Sequence, residues 1–444
     1  MRAEFAGWVG PGRDSVVVVS GFGSLITMVL LIVASTLALF YGRSICSLVA
    51  SAPAVAWLLS RGEDSEKKSD VKKKKPVQDP RLHGLDDAIG RRWARAQFYR
   101  THPNFDHNCL SESDVAKGLT ISETYVLNSK GVEVFVKSWL PTDEHLHGVI
   151  FLCHGYGDSV TFYAEGVART LALAGYAVYG MDYPGFGMSE GLHGYIPNFD
   201  KLVDDVIEQY RIIKGRAELK GLPCFLFGES MGGAVALRAH LKVPTMWDGA
   251  VLVAPMCKIA DSMYPPWILV QILVTLARVI PKAKLVPGNN IAEIGFRDPV
   301  KRKIADMNPV AYVGNPRLGT AVQMLRITDY IESNLQEVSL PLLVLHGGAD
   351  LVTDPAISKL LDEKAKSTDK TLRYYDDAWH CLLQGEPDDT IHVIMKDVIS
   401  WLDTRAATKT SFPRLSEREF DERVAGAVPS LINFGRFNVA TQAS

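Results

Sequence analysis

Six residues, Gly228-Glu229-Ser230-Met231-Gly232-Gly233, restrict most tightly what this chain can become. They follow the apolar run Cys224-Phe225-Leu226-Phe227 and precede the small-residue stretch Ala234-Val235-Ala236-Leu237. A short apolar run bounded by glycine suits a buried strand, and the stretch after it suits a helix packed closely on that strand. Between them the chain must turn sharply. A serine on such a turn projects its hydroxyl beyond the sheet at a helix N-terminus, and the flanking glycines leave room for the strained backbone. Ser230 is therefore the candidate nucleophile. A second match to the same spacing, Gly187-Met188-Ser189-Glu190-Gly191, follows Pro184-Gly185-Phe186 with no strand directly before it, and Pro197 stands where its helix would run. Ser189 reads as a loop serine.

A serine hydroxyl becomes a nucleophile only beside a base, which must itself be oriented. Downstream, the buried-strand run Leu340-Pro341-Leu342-Leu343-Val344-Leu345-His346-Gly347 ends in Gly348-Ala349-Asp350. The alternating run Leu372-Arg373-Tyr374-Tyr375 leads into Asp376-Asp377-Ala378-Trp379-His380. The chain order Ser230, Asp350, His380 is that of nucleophile, acid and base in a hydrolase built on a strand–turn–helix elbow. Asp354, Asp376 and Asp377 lie near enough in sequence to compete as the acid. His346 belongs to a strand end and His392 to the C-terminal helix, which leaves His380 as the base. Two backbone N–H groups must also face the developing oxyanion. Met231, after the serine, supplies one. The other is expected from Tyr156, in His154-Gly155-Tyr156-Gly157 beyond the strand run Gly148–Cys153. His154 reads as a hydrogen-bonded structural residue.

Together these pieces resemble the monoacylglycerol lipase-like serine hydrolases of the α/β-hydrolase superfamily, particularly the plant branch that includes caffeoylshikimate esterases and lysophospholipases. The resemblance covers about Ser113 to Ala406. It rests on His154-Gly155-Tyr156-Gly157, on Asp182-Tyr183-Pro184-Gly185-Phe186-Gly187-Met188-Ser189, on the Ser230 turn, on His346-Gly347-Gly348-Ala349-Asp350-Leu351-Val352 and on Trp379-His380-Cys381-Leu382-Leu383. It implies a Ser230–Asp350–His380 triad, an oxyanion hole of Tyr156 and Met231, and an ester substrate of the monoacylglycerol or lysophospholipid kind. A phenylpropanoid ester is the nearest alternative, because both subgroups share the motifs. An acyltransferase and a ligand receptor on the same fold are the others. The acyltransferase-like pattern His392-Val393-Ile394-Met395-Lys396-Asp397 carries little weight, since residues five apart on a helix diverge by about 140°. No cofactor and no metal is called for.

Strand-like runs at Val149–Cys153, Ala177–Met181, Cys224–Phe227, Ala250–Val253, Leu342–Leu345 and Leu372–Tyr375 alternate with helix-like segments, after a β-hairpin around Asn128-Ser129-Lys130-Gly131. The pattern predicts an α/β fold with a mostly parallel central sheet and helices on both faces. The expected hydrolase domain spans 113–406, with an inserted helical cap at about 257–337 and a loosely attached tail at 407–444. In the cap, Pro265 to Ala277 is apolar nearly all round, and it either walls an acyl pocket or exposes a flank to lipid.

The 48 basic and 50 acidic residues leave a net charge of −2, which argues against a nucleic-acid partner. The six cysteines (Cys46, Cys109, Cys153, Cys224, Cys257, Cys381) have neither metal spacing nor a dense framework, which suits a reducing compartment. Residues 1–62 read as a membrane-anchor region with a span at about 16–41, long enough for the ~20 residues that cross a bilayer. A cleaved signal peptide ending near Ala50-Ser51-Ala52 is the rival reading. A second, Pro53-broken apolar stretch covers 44–60. Lys67, Lys68 and Lys72–Lys75 lie in the linker 63–112 and place the catalytic domain on the cytosolic side of the membrane. Chloroplast and secretory locations are the alternatives. An amphipathic helix is expected from Asp86 to Arg100.

Overall fold

Eight strands form one sheet in the order β1-β2-β4-β3-β5-β6-β7-β8. The computed structural model describes residues 84–102, 118–142, 145–162, 164–258, 266–286, 291–412, 418–419 and 421. The expected membrane segment at 16–41, the stretch 44–60, the lysine run and most of the tail lie outside the described residues. Among the described residues no helix is long and apolar enough to cross a membrane. The chain divides into two compact units, Val77–Pro265 with Leu273–Ser444, and Met1–Pro76 with Pro266–Ile272. The first unit holds the whole sheet. Of the second, only residues 266–272 are described.

β1 (Leu119–Leu127) and β2 (Glu133–Pro141) are the expected hairpin. Asn128 makes its turn, accepting from the Lys130 and Val132 N–H groups through Oδ1, while Gly131 takes a φ of 74°. β2 pairs antiparallel with β4 (Tyr176–Met181). The remaining pairs are parallel, joining β3 (Gly148–Cys153), β5 (Cys224–Glu229), β6 (Gly249–Val253), β7 (Leu342–Gly347) and β8 (Lys370–Tyr375).

Alternate side chains of the central strands enter opposite cores, as the pleat requires. Phe151, Leu226, Leu252 and Val344 pack with α3 (Phe199–Lys214), α4 (Met231–Lys242) and α9 (Pro355–Lys364). Ile150, Phe225, Val251 and Leu343 pack with α2 (Ala164–Leu173) and α10 (Asp388–Ala406). Strands buried on both faces read as continuous apolar runs, which is how the sequence shows them. The chain leaves β3 for β4 on one side and later returns to place β5 on the other. Ligands of such sheets bind beyond the strand C-termini where the order reverses, here between β3 and β5.

The insertion between β6 and β7 contributes α5 (Trp267–Val279), α6 (Ile291–Gly295), α7 (Pro299–Asp306) and α8 (Leu318–Ser333). In α5 the apolar stretch divides: Leu269, Leu273 and Leu276 are buried, and Trp267, Ile268 and Val279 are exposed. α1 (Ala88–Thr101) is the expected helix before the domain, capped by Asp87. Its buried positions differ from an apolar stripe: they are Ala88, Gly90, Arg91 and Arg95, while Ile89 is exposed. The Arg91 and Arg95 guanidinium groups find carbonyl and carboxylate acceptors in the domain, which offsets most of the cost of burying them, although Arg95 Nε is left without a partner.

One such acceptor, Glu123 of β1, holds Arg95 through two bonds of 2.6 and 2.9 Å and also Lys137 of β2 at 2.8 Å. Lys137 is fully buried and pairs with Glu165 of α2, whose second oxygen accepts from Trp139 Nε1 at 2.7 Å. Removing one member of a buried pair strands the other charge at a cost of about 3–5 kcal/mol. Lys137→Met is expected to lower unfolding free energy by about that amount in urea titration. Adding Glu165→Gln should recover part of the loss.

Candidate active site

Ser230 stands between the end of β5 and the start of α4 with φ 53° and ψ −118°, one of the positive-φ non-glycine residues of the chain. Such a conformation costs about 1–3 kcal/mol and persists only where the surroundings hold it. Here the Ser230 N–H donates to Val253 O at 2.9 Å, and Ser230 O accepts from the Gly233 and Met256 N–H groups, both at 2.9 Å. Gly232 is dictated by space: a Cβ there would lie 1.8 Å from the carbonyl oxygen of Cys153. The helix N-terminus thus presses against the end of β3. The serine hydroxyl is not consumed as a helix cap.

Asp350, buried beyond β7, lies 2.7 Å by its Oδ2 from Nδ1 of buried His380, beyond β8. That bond assigns the Nδ1–H tautomer and leaves Nε2 as the acceptor nitrogen. Asp350 also accepts from the Val352 and Thr353 N–H groups at 2.7 and 3.0 Å and from the Thr353 hydroxyl at 2.9 Å. His346 of β7 contacts the same Oδ2 at 3.1 Å, with its Nδ1 2.6 Å from Ser358 Oγ. Burial pushes the Asp350 carboxyl up, but the hydrogen bonds from His346, His380 and Thr353 outweigh it and hold the group well below the usual carboxylate range. It is an ionised carboxylate.

The competing residues are otherwise employed. Asp354 caps α9 through Ala356 N–H at 2.8 Å, and Asp376 and Asp377 are exposed. His392 pairs with Asp421, whereas Asp397 accepts from Tyr375, so the two do not form a dyad. Ser189 is buried in its loop, donating to Asp182 O at 2.6 Å and accepting from Phe135 N–H at 2.8 Å. His154 stacks on Tyr183 at 3.9 Å, and burial lowers its pKa to about 4, so it is neutral at pH 7.

Tyr156 follows β3, where its ring meets Phe186 and Tyr312 edge-on and its hydroxyl donates to Gly194 O at 3.3 Å. Among the described residues no loop or turn hydrogen bond takes the N–H of Tyr156 or Met231. The insertion reaches the site from two sides: Tyr312 N–H donates to Gly157 O at 2.7 Å, and Cys381 N–H donates to Gly295 O at 3.0 Å. Cys153, Cys224, Cys257 and Cys381 are free and buried.

Motif spacing gave no signal for three further groups. His346 and Thr353 complete the shell of Asp350. Glu229, next to Ser230, accepts from Gln384 Nε2, a residue four beyond His380, and so ties the Ser230 turn to the His380 loop. No cation pairs with Glu229 among the described residues. Burial, with the neighbouring Asp158 carboxyl, pushes its pKa up to about 8 despite the Gln384 bond. Asp158 itself is raised to about 7 by burial.

This sheet, with a strained serine at its reversal point and a histidine–carboxylate pair beyond its last strands, defines the α/β-hydrolase class. Residues 144–388 match the family described as serine aminopeptidase, S33, and the chain belongs to that family. It is a serine ester hydrolase. A caffeoylshikimate esterase of Arabidopsis thaliana is 35% identical over 65% of this chain and 87% of its own length. A monoglyceride lipase of Homo sapiens is 30% identical over 64% of this chain and 91% of its own. The solved soluble variant of monoglyceride lipase from Saccharomyces cerevisiae has the same fold, with a TM-score of 0.57 at 21% identity, over 65% of this chain and 96% of that one.

The raised Glu229 pKa means that the folded state holds this proton more tightly than the unfolded chain. Its contribution to stability is full below about 4.5 and is lost as pH rises through about 8. Glu229→Gln should flatten the fall in melting temperature between pH 5 and pH 8.5 without abolishing it, because Asp158 has the same sign. An unchanged pH profile would place the ionised carboxylate in the fold.

Proposed function

We propose that Ser230, His380 and Asp350 carry out two-step acyl transfer on a carboxylic ester. The carrying observation is the buried 2.7 Å Asp350–His380 pair at the same sheet edge as the strained Ser230 turn. His380 Nε2 takes the Ser230 proton as the hydroxyl attacks the carbonyl carbon, and the N–H groups of Tyr156 and Met231 receive the oxyanion. Asp350 stays ionised and stabilises the imidazolium. The imidazolium then protonates the leaving alcohol, and water repeats the attack on the acyl-enzyme to release the acid.

The substrate we infer is a monoacylglycerol, with a lysophospholipid as the related option. The human and yeast relatives bear the names of monoglyceride lipases, and the greasy α5 of the insertion suits a long acyl chain. A phenylpropanoid ester is the second reading, favoured by the 35% identity to a caffeoylshikimate esterase. We further propose that residues 16–41 anchor the chain in a membrane with the hydrolase on the cytosolic side. The uncharged run from Ser15 to Gly42 and the following lysines support that reading.

Product analysis on monoacylglycerols, lysophospholipids and hydroxycinnamoyl esters separates the substrates. Glycerol release above all other activities is expected, and turnover confined to hydroxycinnamoyl esters would move the enzyme to the second reading. Asp350→Asn should lower kcat roughly ten-thousandfold with little change in KM, as loss of the orienting carboxylate does in such triads. A loss below tenfold would remove Asp350 from the triad.

A further inference from the structure

The turn before α1 lies upstream of the residues that match the family, yet it is bonded into the walls of the site. Asp86 Oδ1 accepts from Arg317 Nη2 at 2.7 Å and from Lys284 Nζ at 3.3 Å, both in the insertion. Its carbonyl accepts from the His193 N–H at 3.2 Å. Arg317 is buried at the start of α8 and uses its other nitrogens on His193 O at 2.9 Å and Lys282 O at 2.7 Å. Asp86 therefore joins two separate pieces, the insertion and the loop around His193, through one guanidinium. Arg91, fully buried in α1, holds the same loop further back, donating to Gly187 O and Ser189 O at 2.6 Å each.

From those pieces the contacts run to the candidate oxyanion donor. The His193 ring stands edge-on to Tyr312 at 5.0 Å, and Tyr312 in turn faces Tyr156 and donates its N–H to Gly157 O. The Tyr156 hydroxyl is held by Gly194 O, next to His193. Gly194 packs so closely that a Cβ there would meet the Tyr312 ring at 2.7 Å. A donor whose loop is fixed by Tyr312 and Gly194 is only as well placed as those two residues. Besides their own bonds to Gly185 O, Thr320 Oγ1 and Asn315 O, both meet His193, Tyr312 through its ring and Gly194 as its chain neighbour, and His193 O is held by Arg317. The only carboxylate bonded to Arg317 among the described residues is Asp86.

We propose that Asp86 is a positioning residue of the reaction: it latches Arg317 and the His193 loop together and so holds the Tyr156–Gly157 turn in register with Ser230. The proposal rests on the assignment of Tyr156 as an oxyanion donor. Removing the Asp86 charge leaves Arg317 buried on carbonyl groups alone, and the two pieces lose their common anion. An oxyanion donor acts on the transition state, so a loosened latch lowers kcat and leaves KM nearly alone.

The test uses the full chain with Asp86→Asn and Asp86→Glu, assayed on p-nitrophenyl acetate and on a long-chain monoacylglycerol. Asp86→Asn should lower kcat on both esters by roughly three- to tenfold, with KM within about twofold, and Asp86→Glu should restore most of the loss. Wild-type kcat in Asp86→Asn overturns the proposal. Hydrogen exchange gives a readout independent of catalysis. The Tyr312, Leu318 and Gly319 amides, bonded to Gly157 O, Ala283 O and Pro281 O, should exchange several-fold faster in Asp86→Asn while β5 amides keep their rates. Unchanged exchange at those three amides, or an equal rise across the domain, also overturns it. Faster exchange with undiminished kcat overturns Asp86 as a positioning residue while leaving the Ser230–His380–Asp350 assignment standing, whereas loss of turnover in the wild-type chain on both esters would be a failure of that assignment and not of the latch.

Discussion

The approach of the α4 N-terminus to the end of β3 is the constraint on which the site depends. With a Cβ at position 232 only 1.8 Å from Cys153 O, the helix sits as close as a glycine backbone permits. That closeness brings the candidate donor loop beyond β3 beside the turn beyond β5, and it forces the serine between them into a conformation residues of its kind rarely adopt. The strain is balanced by ordinary interactions: hydrogen bonds from Ser230 to β6 and its following loop, and apolar cores on both faces of the strands that carry it. Small residues along α4 are the sequence trace of the same requirement.

Around this turn the structure separates carboxyl groups by environment. Asp350, supplied with donors from two histidines and Thr353, stays charged, whereas Glu229 and Asp158, half-buried and paired with no cation among the described residues, are pushed toward the neutral form. The negative charge is thus concentrated behind His380, where it favours an imidazolium. Glu229, raised to about 8, adjoins Ser230 in the chain and adds little negative charge there at pH 7. His154, neutral in its stack on Tyr183, adds no competing base.

Much of this was legible in the sequence because it depends on local pattern. Glycines at a strand–helix junction and apolar runs for doubly covered strands are short-range signals, and strands β3 to β8 start within two residues of the expected positions. What escaped was long-range and polar. Nothing in the spacing says that His346 shares Asp350 with His380, that Gln384 reaches Glu229, or that Lys137 is buried beside Glu165. The helix before the domain is legible as an amphipathic helix. Its docking by Arg91 and Arg95 depends on carbonyl and carboxylate groups far away in the chain.

The central claim is that Ser230, and no other serine of the chain, carries the acyl group. The most direct measurement is peptide mass spectrometry of the full chain after reaction with a fluorophosphonate, with ester turnover followed in the same sample. A single adduct on the peptide containing Ser230, appearing in step with loss of turnover, is the predicted result. An adduct on Ser189, or full loss of turnover with Ser230 unmodified, would contradict it.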